Sequence, residues 1–379
     1  MEYLFGVIVL VVYGLLNYYI GIRGLRSMKV KAPVIKIVYW IALFSFAFMY
    51  IVGMLFKGYL PESVAGIFST IGGYWLALFI YLICFTLIID IIRFLTKKLG
   101  IQPAILKNKP WIITLVVVVL VTILLTIGTY NALVPRTSEY NVSIDKKAEN
   151  IKDLKCVMIS DVHLGDSIGR NRLHKAVEVI NGLEADIVVF AGDLIDNDIK
   201  PIEEEHMLDE LKSIKSKYGV YAILGNHEYY GKATDKITEL IENSGVTVLR
   251  DEYVKIQDSF YLVGREDSSS SINGYDRKAL ASVLSGVDKN LPVLLLDHQP
   301  TNLNEPRTEG IDLQLSGHTH AGQFFPINLI TSALFEEDFG HLKDDKFNLI
   351  VSCGYGTWGP AIRLGSQSEV LNINITFAQ

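Results

Sequence analysis

The sequence predicts an N-terminal α-helical transmembrane bundle of four helices followed by a layered α/β domain. Hydrophobic residues make up 50% of the 379-residue chain, and they crowd into long runs before about residue 133. Beyond that point short apolar runs alternate with amphipathic stretches, the pattern of buried strands separated by surface helices. Five polar segments stand at the ends of such runs: Asp161-Val-His163, Gly192-Asp193-Leu-Ile-Asp196, Gly225-Asn226-His227-Glu228, Asp297-His298-Gln-Pro300 and Gly317-His318-Thr-His320.

In chain order, the stretches near Tyr3 to Ile22, Ile37 to Phe56, Ile71 to Ile92 and Trp111 to Asn131 each offer roughly 20 mostly apolar residues, enough for a helix to cross a bilayer. The first begins with Glu2 rather than a basic segment and lacks a small-residue cleavage site, so it is expected to be retained. Trp40, Trp75 and Trp111 fall near helix starts, where amphipathic rings favour headgroups. Arg23, Arg26, Lys29, Lys31 and Lys36 occupy the first loop and Arg93, Lys97, Lys98, Lys107 and Lys109 the third, whereas Lys57 in the second is balanced by Glu62. Basic loops prefer the cytoplasm, so both termini and the following domain are expected to be extracytoplasmic in a multi-pass cell-membrane protein. Asp90 is the ionisable residue that falls inside a span, which favours anchoring over transport. Tyr13, Asn17, Tyr18 and Tyr19 suit either helix packing or a lipid-binding face.

Residues 1–133 would form this membrane region, 134–153 a linker and first strand, and 154–379 the α/β domain. A polar linker starting Pro135-Arg-Thr-Ser-Glu139 leads to a strand signal at Leu154 to Ser160. Asp186 to Ala191, Val220 to Leu224, Val293 to Leu296 and Ile311 to Leu315 read as further buried strands. Arg170 to Leu183, Pro201 to Lys217 and Ala233 to Asn243 read as helices over the sheet. Cys84, Cys156 and Cys353 are too few for a disulfide framework, and buried thiols are the favoured reading. A net charge of -6 without a clustered basic patch argues against nucleic acid as a partner.

In such sheets ligands gather at the carboxyl ends of strands, where all five polar segments lie. A mixed Asp, Asn and His set without thiolate suits Mn, Fe or Zn and disfavours calcium. Two such ions about 3.5–4 Å apart can activate a water and neutralise phosphate charge.

In this order the five segments resemble the calcineurin-like metallophosphoesterase family, over roughly residues 154 to 376. The resemblance implies a four-layer α/β/β/α sandwich holding two divalent metal ions between its sheets. Asp161, His163 and His320 would bind the first ion, Asp193 would bridge, and Asn226, His298 and His318 would complete the second site. The resemblance also places the Asn226 amide near the substrate phosphate, assigns phosphate contact and leaving-group assistance to His227, and makes Asp196 its orienting carboxylate. Gly354-Tyr-Gly-Thr-Trp-Gly-Pro360, followed by Arg363, is similar to a glycine-rich segment of a membrane-linked bacterial branch. Arg363 would there pair with a phosphate, or else stabilise a tight turn internally. The polar loop Arg265 to Gly274 is read as a lid or a surface loop. His174, His206 and His341 belong to no segment, and Asp166 and Glu228, near the site in sequence, receive no role beyond turn contacts or contacts that support the site residues.

The expected function is hydrolysis of a phosphodiester or phosphomonoester, on a lipid or cell-envelope substrate, by a membrane-anchored binuclear-metal enzyme. Relatives with this motif spelling include hydrolases of lipid-linked substrates such as UDP-diacylglucosamine, a reaction that would require a cytoplasmic domain. A metal-binding membrane sensor without turnover is the other class, and the complete ligand set argues against it.

Overall fold

The computed structural model describes residues 2–379 other than Lys57, Gly58, Gln102, Asp166, Ser167 and Lys232, so the readings of Lys57 and Asp166 lie outside the described residues. The chain divides into two compact units, Met1–Thr129 and Tyr130–Gln379.

In the first unit the helices Glu2–Met28, Pro33–Leu55, Glu62–Lys98 and Pro110–Leu133 are long and apolar enough to cross a membrane. The third runs for 37 residues, beyond the expected span at both ends. Pro61 precedes it, and Gly100 with positive φ follows it, so it continues until the backbone meets a residue that breaks it. Large apolar side chains such as Val7, Ile41, Ile88 and Val119 are exposed, as lipid-facing positions are. Where helices meet, backbones approach closely: a Cβ on Gly72 would lie 2.3 Å from the Tyr50 nitrogen. Polar side chains bond between helices. The Tyr13 hydroxyl donates to the Ala47 carbonyl at 2.8 Å, and Trp75 Nε1 donates to buried Asn17 Oδ1 at 3.2 Å. Asp90 accepts from Arg23 Nε at 2.7 Å and from the Tyr19 hydroxyl, tying the first helix to the third. These bonds make Tyr13, Asn17 and Tyr19 packing groups, while exposed Tyr18 stacks on Trp40.

The second unit contains two six-stranded sheets. Across one lie β1 (Arg136–Lys147), β12 (Glu369–Ala378), β2 (Asp153–Ile159), β3 (Ile187–Ala191), β4 (Val220–Ile223) and β5 (Thr247–Val248). Across the other lie β10 (Gly340–Asp344), β11 (Phe347–Val351), β9 (Leu313–Ser316), β8 (Val293–Leu296), β7 (Phe260–Gly264) and β6 (Glu252–Ile256). The run β2 to β5 is parallel, as is the run from β11 through β9 and β8 to β7.

Side-chain alternation assigns each face. Along β2, Leu154, Cys156 and Met158 join Leu262, Leu294 and Leu315 of the other sheet in a shared core, while Val157 and Ile159 pack under the helix Arg170–Gly182. On the far side of the second sheet, Val263, Leu295 and Leu349 meet Leu280, Leu284 and Leu303. The result is the expected α/β/β/α order of layers.

The polar stretch after Pro135 is not a simple linker: Arg136–Lys147 is a 12-residue edge strand parallel to β12. Only Val142 and Ile144 in it are fully buried. An edge strand needs few apolar residues, and its charged outer face discourages further strand addition. Cys156 and Cys353 are free and buried.

Candidate metal centre

Five parallel-strand ends deliver the polar segments to one place. β2 leads into Asp161 and His163, β3 into Asp193, β4 into Asn226 and His227, β8 into His298, and β9 into His318 and His320. Asp161, His163, Asp193, His318 and His320 all have positive φ, between 51° and 72°. Left-handed backbone is rare for such residues and is sustained only where the surroundings enforce it. Here it turns each side chain inward immediately after a strand. Space is equally constrained at Gly225, where an added Cβ would lie 2.2 Å from Asp193 Oδ1.

The buried groups converge without enough protons to satisfy one another. His163 Nε2 and His320 Nε2 face each other at 3.1 Å, and Asp161 Oδ1 lies 3.5 Å from the latter. Asp161 Oδ2 and His163 Nδ1 are buried with no hydrogen-bond partner. His298 Nδ1 lies 2.8 Å from the Ala191 carbonyl, to which it can only donate. That directs Nε2 toward Asp193 Oδ2 at 3.2 Å, Asn226 Oδ1 at 3.2 Å and Asp161 Oδ1 at 4.0 Å. Asn226 Oδ1 also meets His318 Nδ1 at 2.8 Å. Ring nitrogens and carboxylate oxygens focused on common points in a buried pocket are what a cation requires. Three ligand-spaced groups result: Asp161 with His163 and His320, Asp161 with Asp193 and His298, and His163 with Asp193 and His227. The residues present therefore fit a metal centre.

Electrostatics agree with that fit. Burial pushes the His163 pKa down to about 4 and those of His318 and His320 below the ordinary value, so these rings are neutral with lone pairs available. Burial would raise Asp193, but the adjacent imidazoles, His298 foremost, hold it well below the usual carboxylate range. Burial would likewise depress His298, yet Asp193 and Asp161 hold it well above 6.5. The buried carboxylates thus draw positive charge toward the centre.

His227 stands beside this cluster, its ring 4.5 Å from that of His163 and its Nδ1 2.7 Å from Asp196 Oδ1. Burial opposes its protonation, but the Asp196 hydrogen bond and the Asp193 charge outweigh it and raise the pKa to about 9. Arg363 takes the internal of its two expected roles rather than the phosphate-binding one, with carbonyls in place of an ion-pair partner. It is completely buried, and its guanidinium donates to the Gly354, Gly356 and His320 carbonyls and to Ser366 Oγ, with Nη2 3.1 Å from His320 Nδ1. No donor remains for a substrate phosphate, so Arg363 braces His320. The loop after Arg265 is likewise fixed: Ser268–Asn273 forms a 3₁₀ helix, Gln299 Nε2 holds Asp267, and Asn273 Nδ2 donates to the Tyr229 carbonyl. His174 pairs with Glu210 at the surface, and His341 bonds Asn348, both outside the cluster.

Sequence reasoning missed Tyr230 and Phe335, and it left Glu228 between a turn contact and a supporting one. Tyr230, half exposed, lies 5.4 Å from the His227 ring, and Phe335 lies 6.2 Å from that of His318. No spacing rule marks either. Glu228 is fully buried and takes the supporting role: it accepts Gly225 N at 2.7 Å and Asp193 N at 3.1 Å through Oε2, and Ile195 N at 2.8 Å through Oε1. It thus fastens the Asp193 loop to the Asn226 loop. Burial and the Asp193 charge raise its pKa to about 7, against the pull of the backbone donors. Glu228→Ala would orphan three buried N–H groups, each costing about 1–3 kcal/mol. The variant should melt earlier and bind metal about 10–100-fold more weakly, as measured by thermal unfolding and metal titration; unchanged affinity would refute the fastening role.

Residues 154–322 match the family described as Calcineurin-like phosphoesterase. A Campylobacter jejuni protein named as an uncharacterized metallophosphoesterase is 30% identical over 383 residues, covering 98% of both chains. A Danio rerio transmembrane protein with metallophosphoesterase domain is 28% identical across 81% of this chain and 72% of its own. An Aquifex aeolicus metallophosphoesterase is 32% identical over 63% of this chain and 91% of its own. With a near full-length relative, a matching domain and a cluster fit for metal, the chain belongs to the calcineurin-like metallophosphoesterase family.

Proposed function

We propose that this metal-dependent phosphoesterase hydrolyses a phosphodiester or phosphomonoester of a lipid or envelope component, with its catalytic domain outside the cytoplasm. The observation that carries the chemistry is the convergence of His163, His320, His298, Asp161 and Asp193 on shared points with unpartnered lone pairs. In this reading Asp161, His163 and His320 hold one divalent ion, Asn226, His298 and His318 the other, and Asp193 both. When bound, the ions supply Lewis acidity to a water and offset phosphate charge.

The chain's own groups do the rest. Asn226 Oδ1 is occupied by His298 and His318, leaving its Nδ2 donors for a phosphate oxygen. His227 Nδ1–H donates to Asp196, so Nε2 carries the proton that the leaving oxygen needs. The basic first and third loops support the external placement of the domain, and anchoring keeps the site near lipid and envelope substrates.

Separate roles for the two kinds of residue can be tested with chromogenic phosphodiester and monoester substrates, with and without chelator. Asp193→Asn should lose most bound metal together with activity. His227→Ala should keep its metal while turnover falls about 10²–10⁴-fold; equal metal loss in both would overturn the assignment.

A proton-donating His227 gives a definite pH dependence. Its pKa is raised in the folded protein, so activity should fall on the alkaline side as the ring deprotonates. Removing the Asp196 charge lowers that pKa, and the alkaline limb of Asp196→Asn should therefore move to lower pH. An unmoved limb assigns the proton elsewhere.

Orientation is tested by labelling exposed Glu139→Cys on intact cells with an impermeant thiol reagent. Labelling without permeabilisation is expected, and labelling only after it would place the domain in the cytoplasm.

A further inference from the structure

Among described residues beyond Val134, the exposed large hydrophobics are Tyr230, Ile272, Phe325, Leu329, Ile330, Leu334 and Trp358. Five of these seven belong to one region next to the metal centre, so they are not the single scattered exposures normal on a soluble surface. We propose that Phe325, Leu329, Ile330, Leu334 and Trp358 form a bilayer-inserting face that sets the metal centre beside lipid headgroups. The proposal deepens the lipid-substrate reading and rests on it for its catalytic meaning.

The face is attached directly to the site. It is built on the helix Asn328–Leu334, in which Ile330 and Leu334 are one turn apart. On the same helix Thr331 Oγ1 donates to Asp338 Oδ2 at 2.6 Å, while the Asp338 carbonyl accepts from Thr319 Oγ1 at 2.5 Å, between His318 and His320. The segment leaves the centre at His320 and returns to it at Phe335, against the His318 ring. Trp358 joins through its backbone N–H to Gln323 Oε1 at 3.1 Å and its ring 5.8 Å from Phe324.

The same region is bonded to the point where the last membrane-crossing helix ends. Asn131 Nδ2 donates to the Arg363 carbonyl at 3.3 Å, Ser368 N to the Asn131 carbonyl at 3.0 Å, and Gln367 Nε2 to the Val134 carbonyl at 2.8 Å. One residue beyond Arg363, Leu364 N donates to the Gln323 carbonyl at 2.8 Å, and Phe325 N donates back to the Leu364 carbonyl at 2.6 Å. One short peptide thus links the helix exit to the apolar face. Continuity with a chain already committed to the bilayer selects acyl chains as the occupant, in the manner of an interfacial helix whose apolar side is immersed and whose polar side is not.

The experiment uses the full chain in lipid nanodiscs, carrying a nitroxide at Ile330→Cys or, for comparison, at exposed Lys236→Cys. The parent chain, labelled in parallel, supplies the blank for its own cysteines. The Ile330 label should be several-fold more accessible to oxygen than to an aqueous nickel chelate, with the order reversed at Lys236. Leu329→Asn with Leu334→Asn should abolish the oxygen preference at Ile330 without changing hydrolysis of a soluble chromogenic ester. A nickel-accessible Ile330 label overturns the proposal, and so does one shielded from both reagents, which would indicate a protein partner or second copy. An oxygen-favoured label without chelator-sensitive turnover would leave the inserted face standing and remove the enzymatic reading; turnover with a water-exposed label would do the reverse.

Discussion

Buried like-charged and lone-pair groups repel one another, and that constraint organises the catalytic unit. Asp161 and Asp193 are both buried, and imidazole nitrogens and an amide oxygen crowd the same volume. Positive charge entering such a cluster stabilises it, because protein donors leave Asp161 Oδ2 and His163 Nδ1 without a partner. The pull of the two carboxylates on His298, which raises its pKa, reflects that demand. Metal affinity and folding stability of this unit are therefore coupled, as they are wherever ligands must be held close before the ion arrives.

The architecture looks arranged around that demand. Parallel strands end together, so loops from two facing sheets can contribute ligands to one volume without a long detour. Left-handed turns at five ligands convert strand ends into inward-pointing side chains. Strain of this kind persists only under bracing. Glu228 supplies it between the Asp193 and Asn226 loops, and buried Arg363 supplies it behind His320. Both are charged residues whose effect on the ions would be indirect.

Much of this was legible in the sequence because ligand chemistry and strand ends leave a compact trace. Asp161-Val-His163 and Gly317-His318-Thr-His320 follow apolar runs that could only be buried strands, and the structure brings them together at His163 and His320. What was not legible depends on which way a side chain points. Arg363 after a glycine-rich segment suits a phosphate clamp and an internal turn equally, and nothing local reveals that carbonyls of its own loop surround it. β1 falls in the stretch expected to hold a linker and first strand, but its length is not legible because an edge strand buries only Val142 and Ile144. The Ser-rich loop suggested mobility, whereas long-range bonds from Gln299 and Asn273 fix it.

The apolar helix Asn328–Leu334 illustrates the same limit and completes the functional argument. Leu329, Ile330 and Leu334 would pass in sequence for one more core helix, yet none of its residues is buried. A water-exposed apolar helix is a cost to a soluble domain, so its retention beside a metal centre needs a compensating environment. A bilayer provides one, and the membrane-crossing helices ensure that the domain always has one within reach. Tethering raises the effective concentration of lipid at the site without any affinity of its own. If the substrate is the lipid we propose, immersing the rim of the cleft would add what a tether cannot: a fixed height of the ligand cluster relative to the headgroup phosphates, the coordinate on which positioning for attack depends.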